Sequence, residues 1–153
     1  MELKIVEHPN DILNTKCDEA SITDVSNELV DSMYDLMRNK NGVGLAATQI
    51  GVNKRFFLYS PDKSKANLKM ILNPIITNHG KDIEYMAEGC LSVPNQKKEL
   101  RRWRVIDVEY MEYKNGVLSL VKETLKGWNA RVFQHELDHL DGIICMFKDE
   151  NKS

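Results

Sequence analysis

The segment His135-Glu136-Leu137-Asp138-His139 constrains this chain more than any other. It closes a run from Leu125 to Leu140 whose spacing predicts a helix, with Gly142 as the stop. Along that helix Trp128, Val132, His135, Glu136 and His139 fall on one face, at steps of four, three, one and three. The inward stripe therefore starts apolar and turns polar at its C-terminal end. A fold that buries two imidazoles and a carboxylate must give them partners, because unpaired buried polar groups are costly. A metal ion is one such partner. Histidines at i and i+4 can share an ion, and a glutamate beside them can move the proton of a water that the ion activates. The competing reading is a chance match on a charged helix.

The rest of the chain supplies the frame. Val25, Leu29, Met33, Leu36 and Met37 form an apolar stripe that predicts a helix over Thr23 to Arg38. Thr23 is the expected cap, and Asn39 to Gly42 the expected end. Residues 55–59, 69–72 and 104–111 read as strands, the last with Ile106, Val108 and Tyr110 on an apolar face. Asn115-Gly116 marks a tight hairpin turn, with Val117 to Val121 as the return strand. Helices mixed with antiparallel strands make this an α+β chain.

Two histidines are half a catalytic metal site, which wants a third protein ligand and one open position. The candidates are His8, His79, the carboxylates and the cysteines Cys17, Cys90 and Cys145. Cys90 stands out in Glu88-Gly89-Cys90-Leu91-Ser92, where the glycine permits close backbone approach and a thiolate would suit iron, zinc or cobalt. Burial as a small apolar residue is the competing reading for each cysteine. Gly42 to Gln49 superficially matches a phosphate-cradling loop, but a helix rather than a strand precedes it, which argues against dinucleotide binding. It reads either as a turn packed on the core or as bare backbone approaching a peptide, with the Gln49 amide as a donor for an oxyanion.

Composition removes several classes. Lys plus Arg is 21 and Asp plus Glu 23, a formal charge of −2, which disfavours binding to nucleic-acid phosphates or anionic membranes. No apolar run approaches the ~20 residues of a membrane helix, and the N-terminus carries no signal core. Three cysteines without a CxxC pair are not a disulfide framework, so a cytoplasmic protein is expected.

Three segments together carry a resemblance. Gly42–Gln49 (GVGLAATQ), Glu88–Ser92 (EGCLS) and Gln134–Gly142 (QHELDHLDG) resemble, in order, the motifs GxGLAAxQ, EGCLS and QHExDHLxG of the peptide deformylases, with no mismatch at the defining positions. His8-Pro9, Arg102, Gly127 and Ala130-Arg131 are similar to the family too. The resemblance implies an α+β fold with antiparallel strands around a central C-terminal HExxH helix. It also implies a metallo-amidohydrolase that removes the N-formyl group from formylmethionyl nascent peptides and releases formate. By the same resemblance Cys90, His135 and His139 bind the metal, Fe²⁺ in the cell, for which Zn²⁺, Ni²⁺ or Co²⁺ substitutes. Glu136 moves the proton, Gln49 and the Leu91 N–H face the oxyanion, and Gly44 holds the peptide backbone. Val43, Met86, Trp128 and Val132 are expected to wall the methionine pocket. Formyl-Met peptides are the implied partners, with the ribosome exit region as a further candidate.

The chain departs from the family pattern in two places. Lys97, next to Lys98, stands where many members have arginine, and Lys cannot reproduce a planar fork of donors. The stretch beyond His139 leaves no room for the further C-terminal helix of many bacterial members. Residues 1–153 are therefore expected to be a single domain lacking a long C-terminal extension, with Lys148 to Ser153 solvated. Two other readings compete. A zinc endopeptidase would want a downstream third ligand, which the tail does not offer. A closed structural site of Cys90, His135, His139 and Cys145 would leave no open position.

Overall fold

A computed structural model of the chain describes residues 2–148. Helix α1 spans Asn27–Asn39 and helix α2 Gly127–Leu140. The strands are β1 (Gly44–Ala46), β2 (Phe56–Tyr59), β3 (Lys69–His79), β4 (Ile83–Cys90), β5 (Val93–Trp103), β6 (Val105–Lys114) and β7 (Val117–Lys126). They form a five-stranded antiparallel sheet ordered β1-β2-β3-β6-β7 and a separate two-stranded hairpin, β4-β5. The α+β expectation holds. No described helix is long and apolar enough to cross a membrane.

The sheet is buried on both faces at its centre, which explains the unbroken apolar run of β2. Phe57 and Tyr59 of β2, Ile71 of β3 and Ile106, Val108 and Tyr110 of β6 form one cluster with Ala130, Val132, Phe133 and Leu140 of α2. The alternate residues Phe56, Leu58, Met70 and Leu72 pack on Leu29, Met33, Tyr34 and Met37 of α1. The period of two thus sends one set of side chains to each helix. Phe133 is fully buried and meets Phe57 edge-on, with ring centroids 5.3 Å apart. The β4-β5 hairpin covers α2 from the other side. The Gln134 amide stitches the two, taking a bond from Trp103 N (3.1 Å) and giving one to Trp103 O (2.8 Å).

Several boundaries differ from the sequence reading. Helix α1 starts at Asn27, capped by the Ser26 hydroxyl on Leu29 N, while Thr23 lies in a separate 3-10 turn, Ile22–Asp24. Helix α2 starts at Gly127, because Leu125 and Lys126 still pair with Ile106 and Val105 in the sheet. Strand β3 runs on to His79 and β7 to Lys126, and the whole β4-β5 hairpin was not anticipated. Lys148 is not solvated: its ammonium lies 3.0 Å from Asp138 and its carbonyl accepts from Lys98. The rest of the expected solvated tail lies outside the described residues. The Asn115-Gly116 turn is as expected, both residues having positive φ and joining Lys114 to Val117.

The end of α2 is built as carefully as its face. The carbonyl of Leu140 accepts from Cys17 N (2.8 Å) and from Arg55 (3.0 Å), satisfying a group the helix itself cannot. Gly142 follows with φ 78°, and a Cβ there would stand 2.7 Å from the Asn14 carbonyl carbon and oxygen. Gly116 has a similar φ of 84° but open space around it. Gly116→Ala should therefore cost only the left-handed penalty, about 1–2 kcal/mol. Gly142→Ala adds a backbone clash and should cost distinctly more. Urea unfolding of the two variants checks this, and equal midpoints would contradict it.

Candidate metal centre

Three elements meet behind the polar end of α2. Along β4 the alternating positions Met86, Glu88 and Cys90 share a face that passes from surface to interior. Along α2 the stripe Trp128, Val132, His135, Glu136, His139 runs inward in the same way. Between β1 and a 3-10 turn, Ala47–Ile50, the Gln49 side chain folds back and is buried. Ligand atoms of Cys90, His135 and His139 all lie within 4.8 Å of one another, with Cys90 Sγ 3.4 Å from His139 Nε2. Of the candidate third ligands read from the sequence, Cys90 is the one brought to the histidine pair. His8 packs at a tilt against Phe147, and His79 stacks on Trp103 instead.

Each of these side chains is held from behind. Glu88 is buried and accepts from both ends of the Arg102 guanidinium (2.9 and 2.8 Å), from Arg131 and from His135 Nδ1 (2.8 Å). Its pKa is held far below the ordinary carboxylate range: burial alone would raise it, but the Arg102 and His135 hydrogen bonds prevail. Glu88 thereby fixes the His135 ring so that Nε2 faces the cluster. Burial opposes a charge on His135, yet hydrogen bonds to Cys90 and Glu88 outweigh it and raise the pKa to about 10. Cys90 is pulled well below a normal thiol, first by a hydrogen bond from Cys145 and then by the two histidines, against burial. The thiolate a metal needs is thus favoured by the protein itself.

Gln49 is oriented by its own loop. Its Oε1 accepts from Ala46 N (3.0 Å), which turns the amide nitrogen toward Ser92 Oγ (3.1 Å) and the Cys90 sulfur (3.7 Å). The chain start ties these loops together, with Val6 N bonded to Gln49 O and His8 N to Ser92 O. Glu136 Oε2 is 3.9 Å from His135 Nε2, and Oε1 is buried with no hydrogen-bond partner among the described residues. Burial raises the Glu136 pKa, and His135 and His139 lower it in part. Gly44 is the reason this carboxylate fits: a Cβ there would stand 2.6 Å from Glu136 Cδ.

The remaining expected residues are placed as follows. Val43 and Val132 pack in the α2 core cluster. Met86 and Trp128 are 40% and 46% exposed, at the surface ends of their stripes, and the Trp128 indole donates to Pro61 O. Leu91 lies in the turn between β4 and β5, beside Gly42. Lys97 is exposed, opposite Gly89 on the hairpin. The sequence assigns Glu88 no role and marks Cys145 only as a candidate ligand. The period of two from Cys90 back to Glu88 was a signal for the first; nothing local pointed to the second.

A family model described as polypeptide deformylase matches residues 2–152. The chain belongs to that family. It is 40% identical over 156 residues to the peptide deformylase of Wolbachia sp. subsp. Brugia malayi, covering 94% of this chain and 84% of that protein. The peptide deformylase of Thermodesulfovibrio yellowstonii is 38% identical over 149 residues, covering 95% and 88%. Among solved structures, the Thermotoga maritima peptide deformylase superposes with a TM-score of 0.86 at 31% identity, covering 95% of this chain and 96% of its own. A Met-Ala-Ser-bound class I type b peptide deformylase from Acinetobacter baumannii gives 0.84 at 30%, covering 95% and 97%. This deformylase is accordingly a metal-dependent hydrolase that removes N-formyl groups from nascent peptides.

Glu88 is the test of the supporting network. Glu88→Gln removes the charge that two buried guanidinium groups share and should cost about 3–5 kcal/mol. Because the native pKa is depressed, the carboxylate contributes fully above about pH 4.5 and progressively less as the pH falls further. Denaturant unfolding across acid pH should show a steep loss for the native chain and a shallower one for the variant. Parallel curves would remove Glu88 from this role.

Proposed function

We propose that Cys90, His135 and His139 hold the metal of this deformylase, with Glu136 as proton carrier and formylmethionyl peptides as substrates. The observation that carries the reading is the convergence of one sulfur and two imidazoles within 4.8 Å, beside a buried carboxylate with a free oxygen. The donor set fits Fe²⁺, with Zn²⁺, Ni²⁺ or Co²⁺ as substitutes, since a thiolate and imidazoles suit these borderline ions. Three protein ligands leave a position open, as a catalytic site requires. When bound, the metal supplies the Lewis acidity that makes a water-derived nucleophile available at neutral pH.

The chain's own groups do the rest. Glu136 takes the proton of the attacking water and returns it to the leaving amine, a role that suits a carboxyl whose pKa burial has raised. The Gln49 amide and the Leu91 N–H donate to the oxygen on which charge develops at the formyl carbon. Gly44 lies on β1, an edge strand of the sheet, and offers its backbone to an extended peptide as an added strand. Met86 and Trp128, at the mouths of the two stripes that lead inward to Val132 and the cluster, wall the methionine side chain with Val43. A nascent-peptide substrate supports a cytoplasmic location near the ribosome exit region. Three free cysteines suit that reducing compartment.

Formate release from formyl-Met-Ala-Ser by anaerobically purified protein, with metal analysis of the same sample, tests the reading. Cleavage of an unformylated protein instead would support an endopeptidase. Glu136→Ala should keep its metal and lose ~10²–10⁴ of the rate; near-normal turnover would remove Glu136 from the mechanism. Cys90→Ser should lose metal on dialysis, because a serine hydroxyl does not replace a thiolate, whereas Cys17→Ser should retain it. The reverse pattern would overturn the ligand set.

A further inference from the structure

Cys145 takes no part in the chemistry above, yet it is buried in the same cluster as Cys90. It sits on the 3-10 turn Cys145–Phe147, which packs against the ends of β4 and β5. Its sulfur also lies within 4.8 Å of a Glu88 carboxylate oxygen and a His135 ring nitrogen. This second group shares His135 with the first and includes neither Cys90 nor His139. Cys145 is therefore a partner of a ligand rather than a member of the three-residue cluster. Cys17 belongs to a different core cluster, so the pairing of Cys90 is unambiguous.

We propose that Cys145 is a resolving thiol: on exposure to a hydroperoxide, Cys90 and Cys145 close a disulfide that reversibly disarms the site. In the first step the Cys90 thiolate attacks hydrogen peroxide. An S–O bond forms, the O–O bond breaks, and the departing hydroxide takes a solvent proton to become water. In the second step the Cys145 sulfur attacks the Cys90 sulfenic acid. The S–S bond forms and the S–O bond breaks, and the hydroxide leaves as water with the Cys145 thiol proton. Two thiols lose two electrons, and one peroxide becomes two waters. A cysteine without such a neighbour proceeds irreversibly to sulfinic and sulfonic acids, whereas a thiol already in contact stops the sequence at a reducible bond. Both cysteines are buried in one cluster and both lie within 4.8 Å of the His135 ring nitrogens, so only local movement is needed to meet the geometry of a disulfide. The disulfide engages the same Cys90 sulfur that would hold the metal, so the two states exclude each other. That consequence rests on Cys90 being a ligand, as proposed above; the bond itself does not.

The test treats the full chain, metal-loaded and chelator-stripped, with a few equivalents of hydrogen peroxide. Non-reducing peptide mapping should recover a peptide linking residues 90 and 145, and free thiols should fall from three per chain to one. The stripped protein should react faster, and dithiothreitol should restore both thiols and metal stoichiometry. In Cys145→Ser, or Cys145→Ala should the first fold poorly, Cys90 should instead gain two or three oxygens that dithiothreitol does not remove. Wild-type protein in which Cys90 gains those oxygens without a linked peptide, or pairs with Cys17, would overturn the proposal. A linked peptide formed with full retention of bound metal would uphold the disulfide and refute the assignment of Cys90 as a ligand.

Discussion

A carboxylate taken out of water costs several kcal/mol unless its charge and lone pairs are answered in place. Glu88 is answered completely, by Arg102 from β5 and by Arg131 and His135 from α2. One anion on β4 thus ties its own hairpin partner β5 to helix α2. Arg102 extends the junction to Asp138, which also takes Lys148, while Lys98 holds the Lys148 carbonyl. The hairpin, the helix and the end of the described chain are locked around a single buried charge. Removing any one partner leaves another charge unpaired in a region of low dielectric, so the junction tolerates no partial assembly.

The junction also sets the chemistry in front of it. The bond from His135 Nδ1 to Glu88 leaves Nε2 to face Cys90. The Cys90 sulfur and the two imidazoles then converge as one cluster. Glu136 lies in the same buried region but has no guanidinium beside it, so burial raises its pKa where Glu88's is depressed. Two glutamates close in space are driven in opposite directions by their partners alone, one into a fixed anion and the other into a group able to hold a proton.

Space matters as much as charge. Gly44 leaves room for Glu136, and the Gln49 amide points at the cluster because Ala46 N occupies its oxygen. The GVGLAATQ segment is therefore a shaped wall, with backbone of edge strand β1 on one side and an oriented amide on the other.

Helix α2, its stop at Gly142, the two-residue turn at Asn115-Gly116 and the histidine pair are legible in the chain, because periodicity and turn chemistry act over a few residues. The family is legible as well, through three motifs whose order is specific. The sequence did not reveal the β4-β5 hairpin, where Lys97, Lys98 and Glu99 interrupt the alternation and few positions are buried. It singled out Cys90 by its Glu88–Ser92 context but left Cys145, between Ile144 and Met146, without a local signal. That Cys90 meets His135 and His139 while Cys145 lies by Glu88 and His135 emerges only in the folded chain. Such a choice depends on how β4, α2 and the final turn pack together, and proximity between residues 45 to 55 positions apart is set by that packing rather than by spacing along the chain.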